Sequence, residues 1–293
     1  MGERLGVRML TAAEIRVRPR RRRSPYSEKQ HYQEYVLQRI EGYKNSIGRD
    51  ELLRLGDEAA ADLQAASEGQ FVLTEVLMLE SVDRLIMRRL SLRSFPKWRQ
   101  HFVRMRTAQR TPIHWGLEPH CPVSWLLPRL EPDDAALVIG RGAEPTAYLL
   151  AAYDVAVTYV AADIGSVEQV ESRMACEALA SLFEGFVTPL GPTLPAFLAC
   201  IRDLDVVVID LDALADVDPD ERCELIADLQ ARLRAGGVHV LLPTSPRLAP
   251  GTLLPHYDGW TIEEGSRRRR RAGALRPPDG LILCRAPCPD DAV

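Results

Sequence analysis

From residue 135 onward, short apolar runs alternate with helical segments, and this alternation restricts the fold more than any other feature of the chain. Ala135 to Ile139 reads as a strand that ends in Gly140-Arg141-Gly142, and Thr146 to Ala152 reads as a helix. Val155 to Val160 is a second strand. Val167 to Phe183 reads as a helix, followed by a short strand near Phe186 to Leu190. Leu204 to Ile209 is a dense strand, a VVVI core flanked by aspartates. Asp220 to Leu233 reads as a helix ended by Ala235-Gly236-Gly237, because glycine ends helices readily. Val238 to Leu242 is another strand. Trp260 to Glu263 and Leu281 to Arg285 form a last pair. Strands alternating with helices predict a parallel sheet covered on both faces. The final pair, separated by a polar loop, fits the antiparallel edge such sheets often carry. The predicted fold class is therefore α/β, a Rossmann-like sheet, mostly parallel with an antiparallel edge.

The earlier part of the chain has a different texture. Residues 1 to 27 are rich in arginine and proline, without a period, and read as a flexible basic arm. Tyr32, Tyr35, Val36, Ile40 and Tyr43 then recur at helical spacing. A second helix is predicted from Arg49 to Ala66. A third runs from Phe71 to Leu90, with an apolar stripe of Val72, Val76, Leu79, Val82, Ile86 and Leu90. Pro96 opens a fourth helix, and Pro112 stops it. The expected organisation is an arm over 1–27, an all-helical region with its connector over 28–130, and the α/β domain over 131–293.

The segment ALVIGRGAEPTAYLLAAYDVAVTYVAADIGSVEQVE carries the chemistry. A strand ends in a glycine turn, a helix begins, and a second strand leads to Asp163. Glycine admits positive φ and close approach of a ligand to the backbone. A helix N-terminus offers free amides. A carboxylate after the second strand can accept two ribose hydroxyls. The dinucleotide fingerprint is incomplete, since its third glycine position offers Glu144 and Pro145. Glu144 would repel a pyrophosphate, so NAD and ATP are disfavoured and a ligand without phosphates is expected.

Later, ALADVDPDERCELIADLQARLRAGGVHVLLPTS resembles the stretch of class I S-adenosylmethionine-dependent methyltransferases that runs from the fourth strand's end to the fifth strand. Within that superfamily the nearest resemblance is to the thiopurine and thiol methyltransferase branch. It rests on Trp98, on Thr111-Pro112-Ile113-His114-Trp115-Gly116, and on a first motif without the usual acidic residue. It covers about Trp98 to Pro287. The resemblance implies S-adenosylmethionine as cofactor. Gly140 and Gly142 would face its amino acid tail, Asp163 would hold its ribose, Asp210 and Asp212 would lie near the methyl group, and Trp115 would close over the ligand. Two residues more than the branch's pattern precede Asp163. No acidic residue follows the third strand, where Thr188-Pro189-Leu190-Gly191-Pro192 stands. Asp210 and Asp212 read equally well as caps of the next helix, Trp115 as a packing residue, and His114 and His120 as ordinary loop groups.

Composition narrows the functional classes. The net charge of −4 argues against a protein that coats nucleic acid with its whole surface. Six cysteines without a CxxC pair suggest neither a zinc site nor a disulfide framework, so no metal is expected. MGERLGVRML lacks the apolar core of a signal peptide, and no run approaches the ~20 apolar residues of a membrane span. A cytoplasmic protein is expected. Two basic runs stand out as candidate polyanion-binding groups, Arg20, Arg21, Arg22 and Arg23, and Arg267, Arg268, Arg269, Arg270 and Arg271. Two functions follow. One is methyl transfer to a small molecule, such as a thiol. The other is a catalytically silent methyltransferase-like subunit that binds protein or nucleic acid, RNA included, within a larger assembly.

Overall fold

Helix α1 (Glu28–Ser46) starts where the sequence supplies a capping box. Ser27 Oγ accepts from the Gln30 amide, and Gln30 Oε1 accepts from the Ser27 amide at 2.7 Å. In this computed structural model the described residues are 27–66, 75–132, 134–198, 201–263 and 280–285. The basic arm and both arginine runs lie outside them. The chain divides into two compact units, Ser24–Met105 and one that contains Arg106–Val293.

The first unit holds α1, α2 (Arg49–Ala66), α3 (Glu75–Arg89) and most of α4 (Phe95–Gln109). Ile40, Leu55, Ala59, Val82, Leu85 and Ile86 form its core. Val72 of the predicted stripe lies outside the described residues, and the rest of the stripe is buried only in the second half of α3. Val76 and Leu79 are exposed, because the packing of α2 on α3 centres on Ala59 and the turn after Ser81, whose hydroxyl donates to the Ala59 carbonyl. A second cluster is aromatic. Trp98 and Phe102 stack at 4.6 Å between ring centroids, and Tyr32, Tyr35 and Phe95 gather around Trp98.

In the second unit, three short 3-10 turns (Pro112–Trp115, Pro122–Trp125 and Leu127–Arg129) lead into a seven-stranded sheet of order β3-β2-β1-β4-β5-β7-β6. The strands are β1 (Ala135–Ile139), β2 (Ala156–Ala161), β3 (Phe183–Val187), β4 (Leu204–Asp210), β5 (Leu233–Leu242), β6 (Thr261–Ile262) and β7 (Leu281–Cys284). The first five pair in parallel. β7 joins β5 and β6 antiparallel, so the expected edge is present. Alternate residues face opposite ways. Ala136, Val138, Tyr159 and Val208 pack with α5 (Glu144–Ala152) and α6 (Ile164–Cys176). Leu137, Ile139, Val207 and Ile209 pack with α7 (Leu211–Ala215) and α8 (Pro219–Arg232). Among the described residues, no helix is long and apolar enough to cross a membrane.

Two boundaries differ from the sequence reading. Helix α6 ends at Cys176, because Ala178 takes φ +56° and the Leu179 amide turns back to the Met174 carbonyl. That brings β3 forward to Phe183. Helix α8 ends at Arg232, with Leu233 already extended, so Gly236 and Gly237 do not terminate it. They lie inside β5, where the register with β4 shifts between Leu204 and Val206. Gly236 takes φ +76° there, and a Cβ on Gly237 would stand 3.1 Å from the Leu204 carbonyl. At this lower end of the sheet, buried Asp205 accepts from the Ala135 amide at 2.7 Å and pairs with Arg234, joining the starts of β1, β4 and β5.

Candidate functional site

The order of the strands reverses direction between β1 and β4, and in open α/β sheets ligands bind outside the carboxyl ends of strands at such a point. The glycine turn, the end of β2 and the end of β4 all meet there. Gly140 takes φ +96°, which a side chain would strain. Its carbonyl accepts from buried Tyr159 Oη at 3.4 Å.

On its other side the turn rests against β4. The Gly142 amide donates to Asp210 Oδ2 at 2.7 Å. Oδ1 of the same carboxylate accepts from the Asp212 amide at 3.0 Å and from Thr244 Oγ1. Asp210 is thus buried with three donors, and it caps α7. A Cβ on Gly140 would stand 2.7 Å from Asp210 Cβ and 2.9 Å from Ala213 Cβ. A Cβ on Gly142 would stand 2.7 Å from Asp210 Oδ2 and 2.8 Å from Thr244 Cβ. Both glycines are needed because the chain's own side chains approach the turn this closely.

Asp212 continues the same seam. It accepts from Ser245 Oγ at 2.5 Å and lies 3.6 Å from Arg247, which also pairs with Asp216. The segment after β5 is therefore fastened to the segment after β4 by Thr244, Ser245 and Arg247. The sequence reading singled out none of these three. Their position just past an apolar strand at the carboxyl end of the sheet was the available signal.

Asp163 lies beside the glycine turn, close enough to Arg141 and Glu144 to interact with both. Strand β2 ends at Ala161, whose side chain is buried, and Asp163 is the N-cap of α6. Oδ1 accepts from the Ser166 amide at 2.7 Å, and Oδ2 accepts from Ser166 Oγ at 2.8 Å. These bonds, with the Arg141 guanidinium nearby, hold the Asp163 carboxyl below the usual carboxylate range. The two extra residues before Asp163 are the step from strand end to helix cap. Glu144, at the start of α5, feels Arg141 and Asp163. Burial pushes its carboxyl up, and its Oε1 is buried without a hydrogen bond.

Trp115 packs sideways on the helices. Its Nε1 donates to the Gln109 carbonyl at 2.6 Å, Tyr148 lies 5.1 Å away between ring centroids, and Arg173 covers its face at 5.8 Å. It belongs to the core that includes α5 and α6. The structure brings Gly140, Gly142 and Asp210 together with Asp212 beside them, while Asp163 caps α6 and Trp115 packs in the core. Thr188 follows β3. Its amide donates to the Ala161 carbonyl and its hydroxyl to the Pro189 carbonyl. Among the described residues, no cluster of three metal-ligating side chains occurs.

The second unit has a Rossmann-like α/β fold, a mostly parallel seven-stranded sheet with an antiparallel edge. No protein-family profile matches the chain, and no curated protein does. Several solved structures are similar to it. One is a TehB-like SAM-dependent methyltransferase from Corynebacterium glutamicum, at 14% identity over 56% of this chain and 86% of that one, with a TM-score of 0.40. A SAM-dependent O-methyltransferase from Thermotoga maritima is 17% identical over 56% of this chain and 64% of that one, with a TM-score of 0.40. The glycopeptide N-methyltransferase MtfA is 15% identical over 60% of this chain and all (100%) of that one, with a TM-score of 0.41. At these identities the likeness is one of fold alone.

Proposed function

We propose that this chain uses the methyltransferase-like fold as a scaffold for binding a partner and does not transfer methyl groups. One observation carries the reading. The Gly142 amide, which would meet the carboxylate tail of a methyl donor, already donates to the chain's own Asp210 carboxylate. A donor tail there would have to displace that bond and place a second carboxylate against Asp210, a like-charge contact that disfavours ionisation of both.

Two further features support it. Strand β2 ends on Ala161, and the carboxylate two residues on, Asp163, spends a bond from each oxygen on Ser166 to cap α6. On this reading the residues present do not fit S-adenosylmethionine. Methyl transfer to a thiol or another small molecule loses its positioning groups on this reading.

Calorimetry and thermal shift with S-adenosylmethionine and S-adenosylhomocysteine test the proposal. We expect no heat and no shift in Tm at about 1 mM of either ligand. A ligand at one hundred times its Kd stabilises a protein by about 2.7 kcal/mol, so a site of about 10 μM affinity would be plainly visible. Saturable binding in the micromolar range overturns the proposal.

A further inference from the structure

Strand β3 forms one edge of the sheet. Its sequence, Phe183-Glu184-Gly185-Phe186-Val187, holds neither lysine nor proline, the residues that commonly guard an open edge. Its register with β2 runs without a bulge, and the opposite edge strand, β6, is only two residues long. Successive residues of a strand turn their backbone groups to opposite sides. The Thr188 amide donates to the Ala161 carbonyl, so Thr188, Phe186 and Glu184 face β2. Phe183, Gly185 and Val187 therefore face outward. The Phe183 amide is taken by the Ala180 carbonyl. The N–H and C=O groups of Gly185 and Val187 have no hydrogen-bond partner among the described residues.

The surroundings of this edge decide what can pair with it. A Cβ on Gly185 would stand 2.8 Å from Val167 Cγ1 and 2.9 Å from Glu171 Oε1, so α6 packs directly on the strand and sets the Glu171 carboxylate at Gly185. Glu168 is its i−3 neighbour on α6. Glu184 points to the opposite face of the sheet from the Gly185 position. All three carboxylates are exposed, and none has an ion-pair partner among the described residues. From Val155 to Leu198 the sequence carries five carboxylates and one cation, Arg173, which pairs with Glu177 at 2.9 Å. Toward the carboxyl end the edge turns apolar. Val187, 45% exposed, follows Gly185 on the same face, and Ile164, 63% exposed, starts α6 one turn before Val167. A strand added to an edge gains main-chain hydrogen bonds, and its alternate side chains are read by the two faces. Here cations are favoured opposite Glu171 and Glu184, and an apolar side chain beside Val187. A second copy of β3 is a poor occupant, because two-fold pairing about Gly185 would bring the Glu171 carboxylates of both copies together, and like charges repel.

We infer that the β3 edge takes up an extended peptide, basic and apolar in alternation, by strand addition. This names the kind of partner for the scaffold role proposed above and rests on that reading. Peptide binding and donor binding are measured separately, so failure of one is distinguishable from failure of the other.

The test uses the full chain and a fluorescein-labelled octapeptide of alternating arginine and valine, followed by anisotropy. One control is the glutamate–valine octapeptide. The other is the arginine–valine peptide with alternate amides N-methylated, which keeps the charge and loses the strand-pairing donors. We expect saturable binding of the first peptide and binding at least about 10-fold weaker for both controls. Val187→Pro removes an outward donor and leaves the bonds to β2 in place, since proline is tolerated on an edge strand with its nitrogen facing out. It should weaken binding about 5-fold, the order of one hydrogen bond. Glu171→Gln with Glu184→Gln should weaken binding about 5-fold and remove most of its salt dependence. Circular dichroism checks that the variants stay folded. In amide exchange, Gly185 and Val187 should be fast in the free chain and slow with peptide, whereas Phe186 and Thr188 should be slow in both. Absence of binding at about 1 mM peptide overturns the inference. So does equal binding of either control, or unchanged affinity in Val187→Pro. Slow exchange of Gly185 and Val187 in the free chain also overturns it. Independent of concentration, that result gives the edge to another segment of this chain; rising with concentration, it gives the edge to a second copy.

Discussion

Asp210 ties the carboxyl end of the sheet together through one side chain. Its carboxylate joins the turn after β1, the start of α7 and the segment after β5 through three donors. Asp210→Ala would leave these donors without an acceptor in a closed space. We expect a loss of about 2 to 4 kcal/mol, read as a lower urea midpoint, because hydrogen bonds to charged groups exceed neutral ones. Asp163→Ala should cost only about 1 kcal/mol, the ordinary value of an N-cap. His239 is a second decisive residue. It is fully buried on β5 and shares a hydrogen bond of 2.8 Å with Tyr257 Oη, and burial holds its imidazole down to about 3. The folded chain keeps His239 neutral, whereas the unfolded chain protonates it below about pH 6.5. The unfolded state therefore binds the extra proton between these two values. The contribution of His239 to stability is complete above about pH 6.5. It falls by about 1.4 kcal/mol per pH unit as the solution is acidified toward pH 3. Urea titrations of the wild type and His239→Phe across that window check this, and the variant should show a shallower dependence.

Among the elements, β5 tests how backbone geometry outranks local pattern. Gly236→Ala meets open space but a φ of +76°, and should cost about 1 to 2 kcal/mol. Gly237→Ala would press a Cβ within 2.9 Å of the Arg234 carbonyl and should cost more. Comparing the two urea midpoints separates strain from crowding. The same strand explains what could be read in advance. The strands and most helices follow from apolar periodicity, as in Leu204 to Ile209, which forms β4. The glycines of β5 read as a helix stop because Leu233-Arg234-Ala235 continues the helical period. Pairing of Leu233 with Leu204 on the next strand overrides it, and no local signal carries that information. In the site, the glycines and Asp210 were legible from type and position. Asp163 reads both ways in the sequence, because a cap and a ribose acceptor need the same side chain, and the structure shows its capping bonds to Ser166. Thr244 carries only a positional signal, because polar residues after a strand have no period.

For the whole molecule, the two units have separate hydrophobic cores, one around Leu55 and Ile86 and the other on both faces of the sheet. Separate cores lose cooperativity with each other more easily than parts of one core do. We expect the calorimetric enthalpy of unfolding to exceed the van't Hoff value, with Leu55→Ala lowering one component and leaving the other in place. A single transition with equal enthalpies would count against independent cores. The charge of the chain is also unevenly distributed. The acidic total of −4 coexists with a stretch of nine cations between Arg84 and Leu117.

The grip of Asp210 on the glycine turn has a kinetic counterpart. A carboxylate attached to the next strand competes for the Gly142 amide at an effective concentration set by its short tether, in the millimolar range or above for a flexible link and higher for a rigid one. A free small molecule of ordinary cellular abundance would meet an internal rival that never diffuses away. Selection for a tight ligand at this end of the sheet would have to begin by shortening or turning that one side chain.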